Sequence, residues 1–397
     1  MTHRERVLAA LSHQPPDRVP IDLGSTVVTG IAAQAYDRLK DYLGLDLGPT
    51  KLFSRTSQIA DIDLEVRQLL GIDTWGFLPG LPDDRPTIES DDGRELVDEW
   101  GILWRMPASS HTYCVTNSPM AESFTVSDMR TYPWPDPDDP GRTRGLRQRI
   151  LDVRNRGDWA IVLSLPTNFI LTSQNLRGFS NWMIDTALNK RLIGMLMDQV
   201  LEIQMAMCEN ILDEVGDIVD VVMNLDDLAL QDRLMISPKS YRELLEPRLA
   251  RLYEFVRSET SAKILHHTDG AVAPLLESLI DMGVDALNPL QISANGMHDI
   301  AGLKAQFGGR LAFWGGIDTQ HLLPFGTSAE VRAEVERVVG ILNVEGGYVL
   351  NPVHNIQSEV PTENIVAGFV RALPQVVAPD STWVSRMLLA LSARCRA

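Results

Sequence analysis

Eight short apolar, β-branched runs recur along the chain, each followed by a polar or glycine-containing turn and then by a helix-sized amphipathic stretch. They are Arg18 to Gly24, Asp73 to Phe77, Ala160 to Leu165, Val219 to Leu225, Ala262 to His267, Val284 to Leu290, Leu311 to Gly315 and Gly347 to Asn351. Strand-length runs alternating with helical patterns read as βα units around a parallel sheet. A doubly wound open sheet also absorbs strands at this spacing, but eight successive units match the closed (β/α)8 TIM barrel better. The expectation is an α/β chain forming one barrel domain over residues 1–397.

Two segments stand outside the repeat. Residues 81–140 hold an acidic turn (Asp91, Asp92, Gly93), an aromatic stretch (Trp100, Trp104) and a proline-rich run (Pro133, Pro135, Pro137, Pro140). This predicts a β-hairpin insertion between the second and third strands and then a linker, forming a lid or wall beside the barrel mouth. The stretch Ala378 to Ala397 reads as a short amphipathic helix ending in Arg394 and Arg396. After the fifth run, Thr268 or Asp269 is placed to cap a helix whose early turn contains Pro274; after the eighth, Ser358 precedes Pro361 and Glu363 in the same way.

Composition narrows the class of function. Hydrophobic residues at 44% and charged residues at 22% are ordinary globular usage. Apolar runs such as Ala160 to Leu165 fall far short of the roughly 20 residues of a membrane span. The residues Met1 to Arg6 lead straight into a helical pattern with no apolar leader, so the expected location is the cytoplasm. Cys114, Cys208 and Cys395 form no CxxC pair, which argues against a disulfide framework and against a thiolate zinc site. A formal charge of −17, with scattered basic residues, disfavours nucleic acid and anionic membranes as partners.

In a barrel of this kind, polar groups at the strand C-termini converge on one mouth. Here those ends supply Asp22, then Asn168, then Asp226 and Asp227 with Gln231, then His266, His267 and Asp269. The later ends supply Asn288 and Gln291, Asp318 and Gln320, and finally Asn351, His354, Asn355 and Gln357. His267, Asp269 and His354 form a donor set that zinc or another borderline divalent ion accepts while keeping a coordination position open. The structural alternative makes Asp269 a helix N-cap, His267 a hydrogen-bonded core residue and His354 a loop stabiliser. Strand alternation sends His266 and His267 to opposite faces, and His267 is the one expected to look into the barrel. The adjacent Asp226 and Asp227 suit proton transfer if one carboxyl lifts the pKa of the other; a turn former plus a cap is the alternative. The Trp314 to Asp318 segment places glycines where the backbone approaches something closely, at a ligand or in rim packing. The methionines between Met195 and Met207 read as helix core.

Several segments carry a family resemblance: the opening Thr2 to Leu11 helix with Pro16 to Pro20, the Asp226–Asp227 turn, His267-Thr268-Asp269-Gly270, Asn288 to Gln291, Trp314 to Asp318, and Val353 to Gln357. Through them the chain resembles the uroporphyrinogen decarboxylase superfamily, which also includes corrinoid-dependent methyltransferases. The resemblance implies a (β/α)8 fold. A true porphyrinogen decarboxylase resembling this chain would carry an arginine-rich segment after the first strand and a tyrosine after the third. Here those places read Asp22-Leu23-Gly24-Ser25-Thr26 and Thr167 to Thr172, and only His354 resembles the catalytic histidine. The methyltransferases imply a zinc site with a His-x-Cys turn after the fifth strand and another cysteine after the eighth. His267, Asp269 and His354 occupy those places, a harder ligand set suited to a Lewis-acid metal.

The resemblance thus implies metal-assisted methyl transfer, with zinc the expected ion, between a small molecule and a corrinoid (cobalamin) carried by a separate protein. No D-x-H-x-x-G corrinoid signature occurs in the chain itself. In this reading Asp226, Asp227 and His354 are the catalytic residues. Asp22, Asn168, Asn288, Gln291, Trp314, Asp318 and Asn351 meet substrate, and the family implies a homodimer. Two alternatives stay open: a cofactor-free decarboxylase or lyase using His354 and Asp22 as proton carriers, and a non-catalytic tetrapyrrole-binding barrel.

Overall fold

The computed structural model describes residues 1–370 apart from 86, 109 and 123. The helix expected from Ala378 to Ala397 lies outside the described residues. A small antiparallel pair, β1 (Leu52–Ser54) and β2 (Ile59–Ala60), precedes β3 (Thr74–Phe77). An antiparallel sheet follows, made of β4 (Ile88–Glu89), β5 (Glu95–Val97), β6 (Leu103–Arg105) and β7 (Cys114–Asn117). The remaining strands are β8 (Ala160–Ser164), β9 (Val221–Leu225), β10 (Lys263–His267), β11 (Ala286–Leu290), β12 (Ala312–Ile317) and β13 (Tyr348–Pro352). β3 and β8 to β13 form one seven-stranded parallel sheet in chain order, with helices between successive strands, a TIM-barrel-like fold.

The strand expected at Arg18 to Gly24 is reduced to a single rung. Ile21 makes a parallel bridge to Leu350, with Leu350 N donating to Pro20 O and Asp22 N to Leu350 O, while Asp73 N donates to Ile21 O on the other side. Pro20 has no N–H to extend the ladder, and Gly24 turns the chain away at φ 80°. The segment therefore spans the gap between β13 and β3 without becoming a regular eighth strand. The insertion also differs from expectation: four antiparallel strands stand where a hairpin was expected. Asp98 organises the turn between β5 and β6 by accepting from the Trp100 and Ile102 amides and from the Trp104 indole.

Two layers of core follow from strand alternation. Val162, Met223, Leu265, Ala286, Trp314 and Val349 pack with one another inside the curled sheet, whereas Ile264, Leu287 and Phe313 face the helices. Each fully buried valine, leucine, isoleucine, methionine or phenylalanine among them stabilises by about 1.5–3 kcal/mol relative to exposure. The helix His3–Leu11, started by a Thr2–Glu5 capping box, inserts Val7 and Leu11 into the inner cluster. Its amides and carbonyls bond Asp158 O and Gly347 N, just ahead of β8 and β13, so it closes the N-terminal end of the sheet. The opposite, C-terminal end stays open. Among the described residues no helix is long and apolar enough to cross a membrane.

Candidate active site at the barrel mouth

Alternation along β10 separates the two adjacent histidines. His266 points into the helix layer, where its Nδ1 lies 2.6 Å from Tyr253 Oη and 2.7 Å from Asn224 Oδ1. Burial drives its pKa down to about 3, so it is a neutral core residue. His267 points inward from the end of the strand, with Nδ1 2.6 Å from Asn288 Oδ1 on β11.

Two residues on, the chain leaves the strand and presents Asp269. Its Oδ2 lies 3.8 Å from His267 Nε2 and 4.0 Å from His354 Nε2, and ligand atoms of the three residues all fall within 4.8 Å of one another. The His267 and His354 rings stand 5.8 Å apart at 64°. Asp269 does not cap the following helix: that turn begins at Val272, and Thr268 Oγ1 instead accepts from Leu228 N. The loop carrying His354 is clamped by Asn355, which accepts from Gly30 N and donates to Val27 O.

The donor set fits a divalent metal. Tetrahedral zinc with ligands at about 2.0–2.1 Å brings donor atoms to roughly 3.4 Å from one another. In the structure the ligand atoms of the three residues stand farther apart than that, all within 4.8 Å of one another. Burial, with the neighbouring His267, lowers the His354 pKa against the pull of Asp269, favouring the neutral imidazole that a metal requires.

The other expected residues divide among three environments. At the mouth, Asp227 Oδ1 accepts from Asp269 N at 2.8 Å, and burial reinforced by Asp269 raises its carboxyl above the usual range despite His267. Gln291 accepts from Gly270 N and donates to Gln231, and both line a cleft of about 370 Å³ with Asp269, His354, Gln320 and Gln357. No lysine or arginine lines that cleft among the described residues.

Inside the barrel, Asp22 is fully buried and accepts from Thr74 Oγ1 and Trp314 Nε1; Asn351 donates to Asp22 O. Along the helix layer, Asn168 accepts from Gln204 and Thr172, and Asp226 accepts from the Ile170 and Leu171 amides at the start of the helix Phe169–Arg177. Asp226 is fully buried there, away from the residues that line the cleft. Asp318 is spent on its own turn, accepting from the Gln320 and His321 amides. Of the residues expected to meet substrate, Gln291 lines the cleft, whereas Asp22, Asn168, Asn288, Trp314, Asp318 and Asn351 do not. Gln231 and Gln357, which do line it, carry the same strand-end signal and nothing that separates them in sequence from the buried ones.

The sequence profile of the uroporphyrinogen decarboxylase (URO-D) family matches residues 165–373, just over half of the chain, and that stretch includes His267, Asp269 and His354. The chain belongs to the URO-D family. A uroporphyrinogen decarboxylase of Psychromonas ingrahamii is 28% identical over 178 residues, 41% of this chain and 48% of that protein. This URO-D family chain therefore spans about half the length of the curated relative it matches. A solved methyltransferase from Methanosarcina mazei superposes with a TM-score of 0.63 at 20% identity, over 94% of this chain and 98% of that one. At that identity the likeness establishes the shared fold.

Proposed function

We propose that this URO-D family member catalyses metal-assisted methyl transfer from a small-molecule donor to a corrinoid carried by a separate protein. The observation that carries the reading is the clustering of ligand atoms of His267, Asp269 and His354 within 4.8 Å of one another, with Asp269 and His354 lining an open cleft. The fold shared with a methyltransferase supports it. His267 Nε2, His354 Nε2 and an Asp269 oxygen would hold zinc, which when bound supplies Lewis acidity toward a donor oxygen. The chain's own residues do the rest. Asp227, whose carboxyl is raised by burial, holds or releases a proton beside Asp269. Gln231, Gln291 and Gln357 offer amides that orient a neutral, hydrogen-bonding donor in the cleft. The open mouth admits the corrinoid of the partner protein.

Elemental analysis after zinc loading and desalting tests the reading: about one zinc per chain in the wild type and none in His267→Ala, at the ligand count expected of a catalytic site. A wild type that retains no metal overturns it. The decarboxylase alternative draws on the Psychromonas relative. It meets a cleft without cationic side chains for substrate carboxylates and an Asp22 whose two oxygens are already engaged. Porphyrinogen decarboxylation undiminished by chelator would favour that alternative instead.

A further inference from the structure

We infer that Asn288 is a positioning residue that locks His267 in the Nδ1–H tautomer and so leaves the Nε2 lone pair free on the side of Asp269. A neutral imidazole has one nitrogen that donates and one that accepts. His267 Nδ1 sits 2.6 Å from Asn288 Oδ1, and an amide oxygen only accepts. The direction of that amide is set at its other end, where Nδ2 faces the Trp314 carbonyl oxygen at 3.4 Å, a group that pairs only with a donor.

The opposite tautomer would press the Nδ1 lone pair against the Asn288 oxygen. It would also aim an N–H at Asp269 Oδ2 from 3.8 Å, beyond hydrogen-bond reach. Both side chains are buried, His267 at 2% exposure and Asn288 at 0%, so water does not compete for these positions. The same residue steadies the turn: His267 and Asn288 are register partners across β10 and β11, and Asn288 O accepts from Thr268 N, one residue before Asp269. A ligand imidazole whose second nitrogen is held in this way is oriented and more basic at the free nitrogen. The consequence for metal affinity rests on the metal-site reading above; the tautomer does not.

Long-range ¹H–¹⁵N spectra of metal-free, histidine-labelled protein test the inference, with His267 assigned by comparison with His267→Gln. The wild type shows the Nδ1–H form. Asn288→Ala shifts His267 to a mixture or to Nε2–H, and Asn288→Asp, which keeps an acceptor at that position, restores Nδ1–H. Zinc affinity, measured by competition with a chromophoric chelator, falls about 10–100-fold in Asn288→Ala and stays within about threefold in Asn288→Asp. An Nε2–H signal in the wild type, or an unchanged tautomer in Asn288→Ala, overturns the role. If Asn288→Ala does not fold, the wild-type and Asn288→Asp spectra decide. A wild type that shows Nδ1–H yet binds no zinc sinks the metal reading while upholding the positioning role.

Discussion

Trp314 donates its indole N–H to Asp22 Oδ2 at 3.0 Å across 292 residues of chain, with both side chains buried inside the barrel. This contact ties the short bridging segment to β12, and Thr74 Oγ1 on β3 donates to the other Asp22 oxygen at 2.6 Å. Trp314→Phe keeps an aromatic ring in the core but leaves a buried acceptor without its donor. The expected loss is about 1–3 kcal/mol. Urea denaturation measures it, and an unchanged midpoint would show that Asp22 finds another partner.

A second buried carboxylate gathers the N-terminal region. Asp73 accepts from Arg18 through two nitrogens, from Arg6, from His3 Nδ1 and from the Ile21 amide, and is itself fully buried. Asp73→Ala strands the largely buried Arg18 guanidinium without its anion, while Arg6 keeps its pair with Asp17, and the expected cost is about 3–5 kcal/mol. Asp73→Asn, which keeps the acceptor oxygen, should lose less. Equal losses in the two variants would mean that the negative charge, which asparagine also lacks, rather than shape is what Asp73 supplies.

Asp226 gives a pH dependence of definite sign. Burial raises its carboxyl well above the usual value, against the Ile170 and Leu171 amides that favour the anion. The folded chain therefore keeps a proton that the unfolded chain releases near pH 4, and stability contributed at this site declines as pH rises from there toward the raised value. The slope is at most about 1.4 kcal/mol per pH unit. Asp226→Asn lacks this titration, so the wild type should lose ground to it steadily between pH 4 and pH 7 in parallel denaturation curves. A stability difference flat across that window would contradict the assignment.

Sequence reading recovered the parallel strands for a definite reason. Strands covered on both faces are near-continuous apolar runs, and β8, β11 and β13 are buried throughout. The insertion carried no such signal: β4 is exposed at both residues and β7 at three of four, so only its turn chemistry was visible and a hairpin was the simplest reading. The run at Arg18 to Gly24 has strand composition, yet Pro20 withholds a donor and Gly24 breaks away, leaving one rung. The triad of His267, Asp269 and His354 was legible because each follows or ends a strand whose position around the barrel is fixed by chain order.

The order of apolar runs along the chain determined the barrel-like sheet, which strand ends share a mouth, and which of two neighbouring histidines looks inward. These are properties of periodicity and chain order, and they need no knowledge of distance. Only the tertiary structure decided what each strand-end polar group is used for. A carboxylate or amide at such an end can face the mouth, fill the barrel interior, or satisfy the open amides of a helix, and sequence spacing is the same in all three cases. Asp227, Asp22 and Asp226 are the three outcomes, separated by burial and by which donors lie within hydrogen-bond reach.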